Sequence, residues 1–280
     1  MTLRPHTVVP LVESMFALDG GAMFGIIPRT LWDRTNPADD QHRIDLACRC
    51  LLVQYEDRNV LVDVGMGNRW TDKERHIYKI NAQDIALNAA LAVHGLTPDD
   101  IHDVVLTHLH FDHAGGVAKQ GADGAVAPSF PRAIHWVQRK NWGWANSPSA
   151  RDGGSYRKED LAVFEGPDAP ELRLVDGPSE ILPGIEVFPQ NGHTFGMQIV
   201  KVSTPNATYV HLADLIPTSS HLRDPYVMGY DLQPLVTLEE KREVLYHAAR
   251  EDWFLVFEHD PLVAMSRVEF DGAGRPRLAK

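Results

Sequence analysis

The run Thr107-His108-Leu109-His110-Phe111-Asp112-His113-Ala114-Gly115-Gly116 constrains this chain more than any other stretch. Four side chains able to hold a metal ion, His108, His110, Asp112 and His113, fall within six residues. Val104, Val105 and Leu106 just before them form a β-branched, apolar run that predicts a buried strand. Ala114, Gly115 and Gly116 just after are too small to hinder close packing, as at a turn into a helix. Residues two apart in an extended segment point the same way, so His108 and His110 can face one ion together. Asp112 and His113 follow the turn and can face a second. Neutral imidazoles and a carboxylate are the ligands zinc prefers, at about 2.0–2.2 Å. A solvated polar loop is the plain alternative for any one of the 14 histidines. The position of these, at a strand end and before glycines, favours a metal motif.

His-x-His-x-Asp-His resembles the signature of the metallo-β-lactamase superfamily, and segments resembling its remaining motifs follow downstream in the family's order. Gly192-His193-Thr194-Phe195-Gly196 comes after the apolar Ile185–Phe188 and resembles the third-histidine loop. His211-Leu212-Ala213-Asp214 ends the strand-like Thr208–Leu212 and resembles the bridging-aspartate motif, and the apolar run from Phe254 ends in Glu258-His259-Asp260. The resemblance spans roughly residues 10–262. It implies that His108, His110 and His193 hold a first metal, that Asp112, His113 and His259 hold a second, and that Asp214 bridges them. Two such ions about 3.5–4 Å apart can share a hydroxide and polarise the bond it attacks. The expected cofactor is therefore a pair of divalent ions, zinc first, with iron, manganese and cobalt also suited to these ligands. Asp214 and Asp112 are the candidate catalytic carboxylates; Asp214 either holds and delivers a proton or serves purely as a ligand.

The chain of 280 residues can bury one large core, and two full domains would be tight. A single domain over 1–280 is expected, with an N-terminal arm and flap over about 1–40 and an insertion over about 138–170. No apolar stretch approaches the ~20 residues needed to span a membrane. Met1–Pro10 lacks the charged start and apolar run of a secretory signal. Cys48 and Cys50, two apart in a strand, are poorly placed to bridge each other and read as buried thiols, which points to a reducing, cytoplasmic home. A net charge of −11 gives no general attraction to nucleic acid or anionic membrane. A homodimer, if formed, would use the insertion or the N-terminal arm.

Ala47–Tyr55 and Val60–Val64 read as a hairpin. Gln83–His94 reads as a helix with Ile85, Ala89, Ala92 and Leu96 inward and Gly95 as its stop. Strands are expected at Ala133–Val137, Leu172–Val175, Ile185–Phe188, Met197–Val202 and Thr208–Leu212. Thr237 with Glu240 suggests a capping box opening a helix that runs to about Arg250, with Leu238, Val244, Leu245 and Ala248 inward. Strands alternating with helices, without repeat or linker, predict an α/β fold of two sheets between helices. The resemblance implies the same: an αβ/βα sandwich of two mixed sheets.

Two Lewis-acidic ions favour hydrolysis of an ester, lactone, amide or phosphoester. Asp19–Pro28 is glycine-punctuated and apolar, and reads as a flap over an apolar substrate or as a core-packing loop. With Ala213–Thr218 and Val227–Asp231 it is similar to the quorum-quenching N-acyl-homoserine lactonases of the superfamily. That similarity implies a small, apolar lactone or ester substrate touched by Met23, Phe24, Ile26 and Phe195. Such lactonases carry a tyrosine three residues after the bridging aspartate, where this chain has Pro217, which has no donor. Tyr226, Tyr230 or His221 could supply one. Asp63 could orient a ligand histidine or simply make a turn, and Glu258 and Asp260 could orient His259 or be solvated. Trp136, Trp142 and Trp144 could line a substrate wall or pack in the core, and His211 reads as a paired strand residue. The alternatives to a lactonase are a phosphotriesterase or aryl esterase on the same ligands, a mononuclear iron persulfide dioxygenase, and a non-catalytic protein with structural metals.

Overall fold

Apolar runs of β-branched and leucine residues pair into two six-stranded sheets in the computed structural model, which describes residues 4–80 and 86–279. β1 (Thr7–Asp19) lies antiparallel to β2 (Arg43–Gln54), with short helices α1 (Gly20–Phe24) and α2 (Arg29–Trp32) between them. β3 (Asn59–Val62), α3 (Asp72–Tyr78), α4 (Ala86–Ala92) and β4 (Asp103–Val105) follow, then the one-turn helix α5 (Phe111–Ala114). A hairpin of β5 (Ala118–Gln120) and β6 (Val126–Pro128) precedes β7 (Ile134–Gln138), α6 (Arg139–Asn146), α7 (Lys158–Leu161) and β8 (Leu172–Val175). The first sheet has the order β1-β2-β3-β4-β7-β8, antiparallel up to β3 and parallel from there.

The second sheet uses β9 (Ser179–Leu182), β10 (Ile185–Gln190), β11 (Met197–Ser203), β12 (Thr208–His211), then, after α8 (Pro234–Glu251), β13 (Phe254–Val256) and β14 (Met265–Ser266). Its order is β14-β13-β12-β11-β10-β9, parallel only between β12 and β13, and a hairpin of β15 (Val268–Phe270) and β16 (Pro276–Leu278) follows.

The alternation along β2 shows how the layers form. Leu51 and Val53 turn inward against Ile185, Val187, Val200 and Val202 of the second sheet. Cys50 and Leu52 face the other way, under Leu87 and Leu91 of α4. A strand covered on both faces loses the polar half of the usual alternation, which is why β2 reads as a nearly unbroken apolar run. Val210 and Leu255 on the outer face of the second sheet meet Val244, Leu245 and Ala248 of α8. The result is the sandwich of two mixed sheets flanked by helices that the sequence predicts. Cys48 and Cys50 are free and buried.

Three expectations need correction. The N-terminal arm is largely β1, which pairs with β2 along its length as an edge strand; Pro10 is tolerated there because an edge strand need not donate on its outer side. Of the helix expected over Gln83–His94, Gln83 and Ile85 lie outside the described residues, and α4 turns Leu87 and Leu91 inward while Ala89 and Ala92 are exposed. Two leucines bury more apolar area than two alanines, so they set the face. α8 begins at Pro234 rather than Thr237, and Glu240 does not close a capping box. Its carboxylate instead accepts the backbone N–H groups of Asn191 (2.7 Å) and Gly192 (3.0 Å). The stretch over 138–170 contains α6 and α7, and its Tyr156 ring lies edge-on to His110.

Candidate metal centre

Strand direction brings the ligand-type residues together. β10, β12 and β13 run the same way in the second sheet and deliver His193, Asp214 and His259 just beyond their carboxyl ends. β4 of the first sheet delivers His108 and His110, and α5, which His110 caps, carries Asp112 and His113. The glycines after α5 permit the close approach this needs: a Cβ on Gly116 would sit 2.1 Å from the Val64 carbonyl oxygen, and one on Gly115 2.6 Å from that of Met66.

Three groups of buried donor atoms result among the described residues; besides Asp63, His113 and Glu258, two face one cavity, each compact enough to hold one cation. One comprises His108, His110, His193 and Asp214, the other Asp112, His113 and His259. In the first, His110 Nδ1 lies 3.0 Å from His108 Nε2 and 3.1 Å from His193 Nε2, while Asp214 Oδ2 is 3.0 Å from His193 Nε2. In the second, His259 Nε2 is 3.3 Å from His113 Nε2, and Asp112 Oδ2 is 3.7 Å from His259 Nε2. Asp214 reaches both groups, its Oδ1 lying 3.0 Å from His259 Nε2 and 3.6 Å from His113 Nε2.

The donor set fits divalent cations. Asp214 Oδ1 is buried without a hydrogen bond despite its close imidazole neighbours, and imidazole nitrogens crowd against one another as acceptors around a shared positive charge do. Burial pulls His108 and His110 well below the ordinary imidazole range, which keeps them in the neutral, ligating form. Burial opposes charge on His193 and His259 as well, yet Asp214 beside both raises them to about 10 and about 9. Burial alone would raise Asp214; His193, His259 and His113 instead hold its carboxyl well below the usual range. A cation bound among these groups would compete with protons for them.

Neighbouring groups fix which ring nitrogen points inward. His193 Nδ1 donates to Asp231 (3.0 Å) and His259 Nδ1 to the Ala47 carbonyl (2.7 Å), leaving Nε2 of each toward the site. His113 Nδ1 lies 3.1 Å from Asp63 Oδ2 and 3.0 Å from Glu258 Oε1. Burial pushes the Glu258 carboxyl up to about 8, against the pull of His113. Asp63 also accepts Thr107 N–H (2.7 Å) and its hydroxyl (2.6 Å), and its left-handed backbone (φ 56°) aims it under the motif. Asp260 is not solvated: it accepts from Ser219, Leu262 and Val263 and braces its own loop. His211 is buried in β12 with Nε2 3.3 Å from the Arg49 carbonyl.

The two groups open onto a cavity of about 360 Å³. Of the residues expected to touch substrate, Met23 and Tyr230 line it. The other five lie elsewhere. Phe24 is stacked between Trp32 and His221 in the core, Ile26 is exposed, and Phe195 packs edge-on to Trp144. His221 is spent on the Thr218 hydroxyl (2.7 Å) and the Met23 carbonyl (2.8 Å), and Tyr226 is buried beside Phe24. The segment read as a flap is thus mostly α1, packed inward through Phe24 and touching the cavity through Met23. Trp136, Trp142 and Trp144 bond or stack within the core around β7 and α6 rather than forming a wall.

Several functional neighbours carried no readable signal. Tyr78 and Arg151 line the cavity, and Asn141 ties the two histidine loops by accepting Leu109 N–H (3.0 Å) and donating to the Phe195 carbonyl (3.0 Å). The Tyr156 ring lies edge-on to His110, and its hydroxyl bonds Thr194 (2.8 Å). Asp231 stood inside a recognised segment, but nothing local marked its carboxylate as the partner of a histidine 38 residues away.

Residues 43–259 match the family profile described as the metallo-β-lactamase superfamily. A probable metallo-hydrolase of Mycobacterium tuberculosis is 28% identical over 245 residues, covering 78% of this chain and 76% of that protein. An N-acyl homoserine lactonase from a Bacillus species is 28% identical over 233 residues, covering 78% and 82%. Among solved structures, a probable metal-dependent hydrolase from Staphylococcus aureus superposes with a TM-score of 0.87 at 29% identity, covering 100% and 99% of the two chains. A dizinc quorum-quenching lactonase in complex with a product shares the fold at a TM-score of 0.77 and 18% identity, covering 99% and 97%.

Proposed function

The chain belongs to the metallo-β-lactamase superfamily, and on that premise we propose that this metal-dependent hydrolase opens lactone rings, N-acyl homoserine lactones first among them. One observation carries the proposal: two buried sets of ligand atoms, both reached by Asp214, face a single small cavity. His108, His110 and His193 would hold one divalent cation and Asp112, His113 and His259 the other, with Asp214 serving both. When bound, such a pair, zinc being well suited to these ligands, supplies Lewis acidity to an ester carbonyl and makes water a competent nucleophile near neutral pH.

The side chains do the rest. Asp214 and Asp112 offer carboxylates beside the reacting centre where a proton can rest until the departing ring oxygen takes it up. Tyr230 lines the cavity, and its phenol, protonated near neutral pH and raised further by burial, can donate to the oxyanion in place of the donor missing at Pro217. Leu18, Met23 and Met228 give an acyl chain an apolar wall. The Bacillus N-acyl homoserine lactonase among the relatives supports this substrate class.

The test is metal content by mass spectrometry on the same sample assayed against acyl homoserine lactones, a paraoxon-type phosphotriester and aryl esters. Two divalent ions per chain, with kcat/KM highest on the lactones, is the expected result. Faster phosphotriester or aryl ester cleavage would overturn the lactonase reading and keep the hydrolase. One iron per chain with oxygen uptake on glutathione persulfide would overturn both.

A further inference from the structure

We propose that Arg151 gives the cavity a preference for substrates that bear a carboxylate at the end remote from the scissile ester, an inference that rests on the metal-hydrolase reading of the same site. Arg151 lines the cavity together with Asp112, Asp214 and His259, and it is the one lysine or arginine that does so among the described residues. It comes from the stretch between α6 and α7. Its Nη2 donates to the Gly229 carbonyl (2.5 Å) and lies 3.5 Å from that of Asp231, which holds the guanidinium against the wall.

Its charge is not answered by the protein. Arg139 and Arg157, on either side in sequence, pair with Asp176 and Asp160, whereas no carboxylate pairs with Arg151 among the described residues. The adjacent Asp152 also lines the cavity, but both its oxygens are taken, one by Trp144 Nε1 (2.7 Å) and one by the Ser149 hydroxyl (2.7 Å). An unpaired guanidinium in a chain of net charge −11, where carboxylates are plentiful, is an acceptor-seeking group left available. The guanidinium fork matches a carboxylate better than any other common anion save phosphate. Among the described residues two carbonyls engage Nη2 and nothing engages Nε or Nη1, which retain hydrogens for a ligand. Arg151 and Asp214 line the same cavity of about 360 Å³, near the lower end for small-molecule sites, so one small molecule can engage both ends of it.

A purely positioning role is the competing account, because Arg151 touches the backbone of Asp231, which orients His193. Paired ligands separate the two. Adipate and hexanoate have the same six carbons and differ by one terminal carboxylate, and binding of each to the zinc-loaded protein can be measured by calorimetry without turnover. Wild type should bind adipate at least tenfold more tightly, Arg151→Gln should bring the ratio close to one, and Arg151→Lys should keep part of the preference. A γ-lactone with a carboxyalkyl arm should exceed its alkyl counterpart in kcat/KM, and Arg151→Gln should reduce that advantage through KM. Equal binding of the two acids to wild type, or a preference that survives Arg151→Gln, would overturn the proposal, as would an equal loss on both acids. If the adipate preference and its loss are seen while neither lactone is opened, the lactonase reading fails and the assignment of Arg151 stands.

Discussion

At the scale of single residues, Tyr230 and Glu13 carry the sharpest consequences. Removing the hydroxyl in Tyr230→Phe should lower kcat on a lactone by about a hundredfold to a thousandfold, with metal content unchanged, since an oxyanion donor contributes about 3–4 kcal/mol. A variant at the wild-type rate would show that the donor lies elsewhere. Glu13 is buried at the bulge between Val12 and Ser14 of β1 and accepts Met66 N–H (3.2 Å), bracing the loop that lies under the glycines of the metal motif. Burial pushes its carboxyl up to about 7. A folded-state pKa above the unfolded value means the contribution is full below pH 4.5 and is lost as pH rises through 7, by roughly 3 kcal/mol in all. Glu13→Gln is neutral throughout, so its Tm should gain on that of wild type between pH 5 and pH 8. Parallel Tm curves for the two proteins would refute this. Nothing in the sequence marked Glu13, because a carboxylate in an alternating strand ordinarily faces water.

Elements are where local signals and packing diverge. The strand-end histidines could be read because each follows an apolar run, and apolar runs bounded by polar residues report burial directly. The start of α8 could not, because the contact that employs Glu240 is with residues 191–192, outside any local window. The same helix carries Lys241, buried with its ammonium among four carbonyl oxygens, those of His221 (3.1 Å), Arg223 (2.8 Å), Asp224 (3.1 Å) and Tyr226 (3.0 Å). It gathers the segment that leads into Tyr230. Lys241→Met should strand those carbonyls and cost about 3 kcal/mol or more in denaturant unfolding. A loss under about 1 kcal/mol would mean that other groups satisfy them.

At the scale of the whole molecule, the site joins two layers. His108, His110, Asp112 and His113 follow a strand of the first sheet, and His193, Asp214 and His259 follow strands of the second. A cation bound between them therefore favours the folded state over the unfolded chain. At a hundredfold to a thousandfold excess over Kd this linkage is worth about 3–4 kcal/mol per site, or about 10 °C in Tm for a chain of this size. Chelation empties both sites and should lower Tm by about twice that, and zinc should restore it; an unchanged Tm would count against the two-cation reading. The sequence alone determined the sandwich, the motif and the order of the candidate ligands, because hydrophobic periodicity and short-range spacing are local properties of a chain. Only the tertiary structure decided which groups surround them. It turned Phe24, His221 and Tyr226 into the core, set Asp231 behind His193, and left Tyr230 and Arg151 on the cavity wall. Those outcomes depend on which distant surfaces meet when two sheets close on each other, and no window of sequence contains both sides of such a contact.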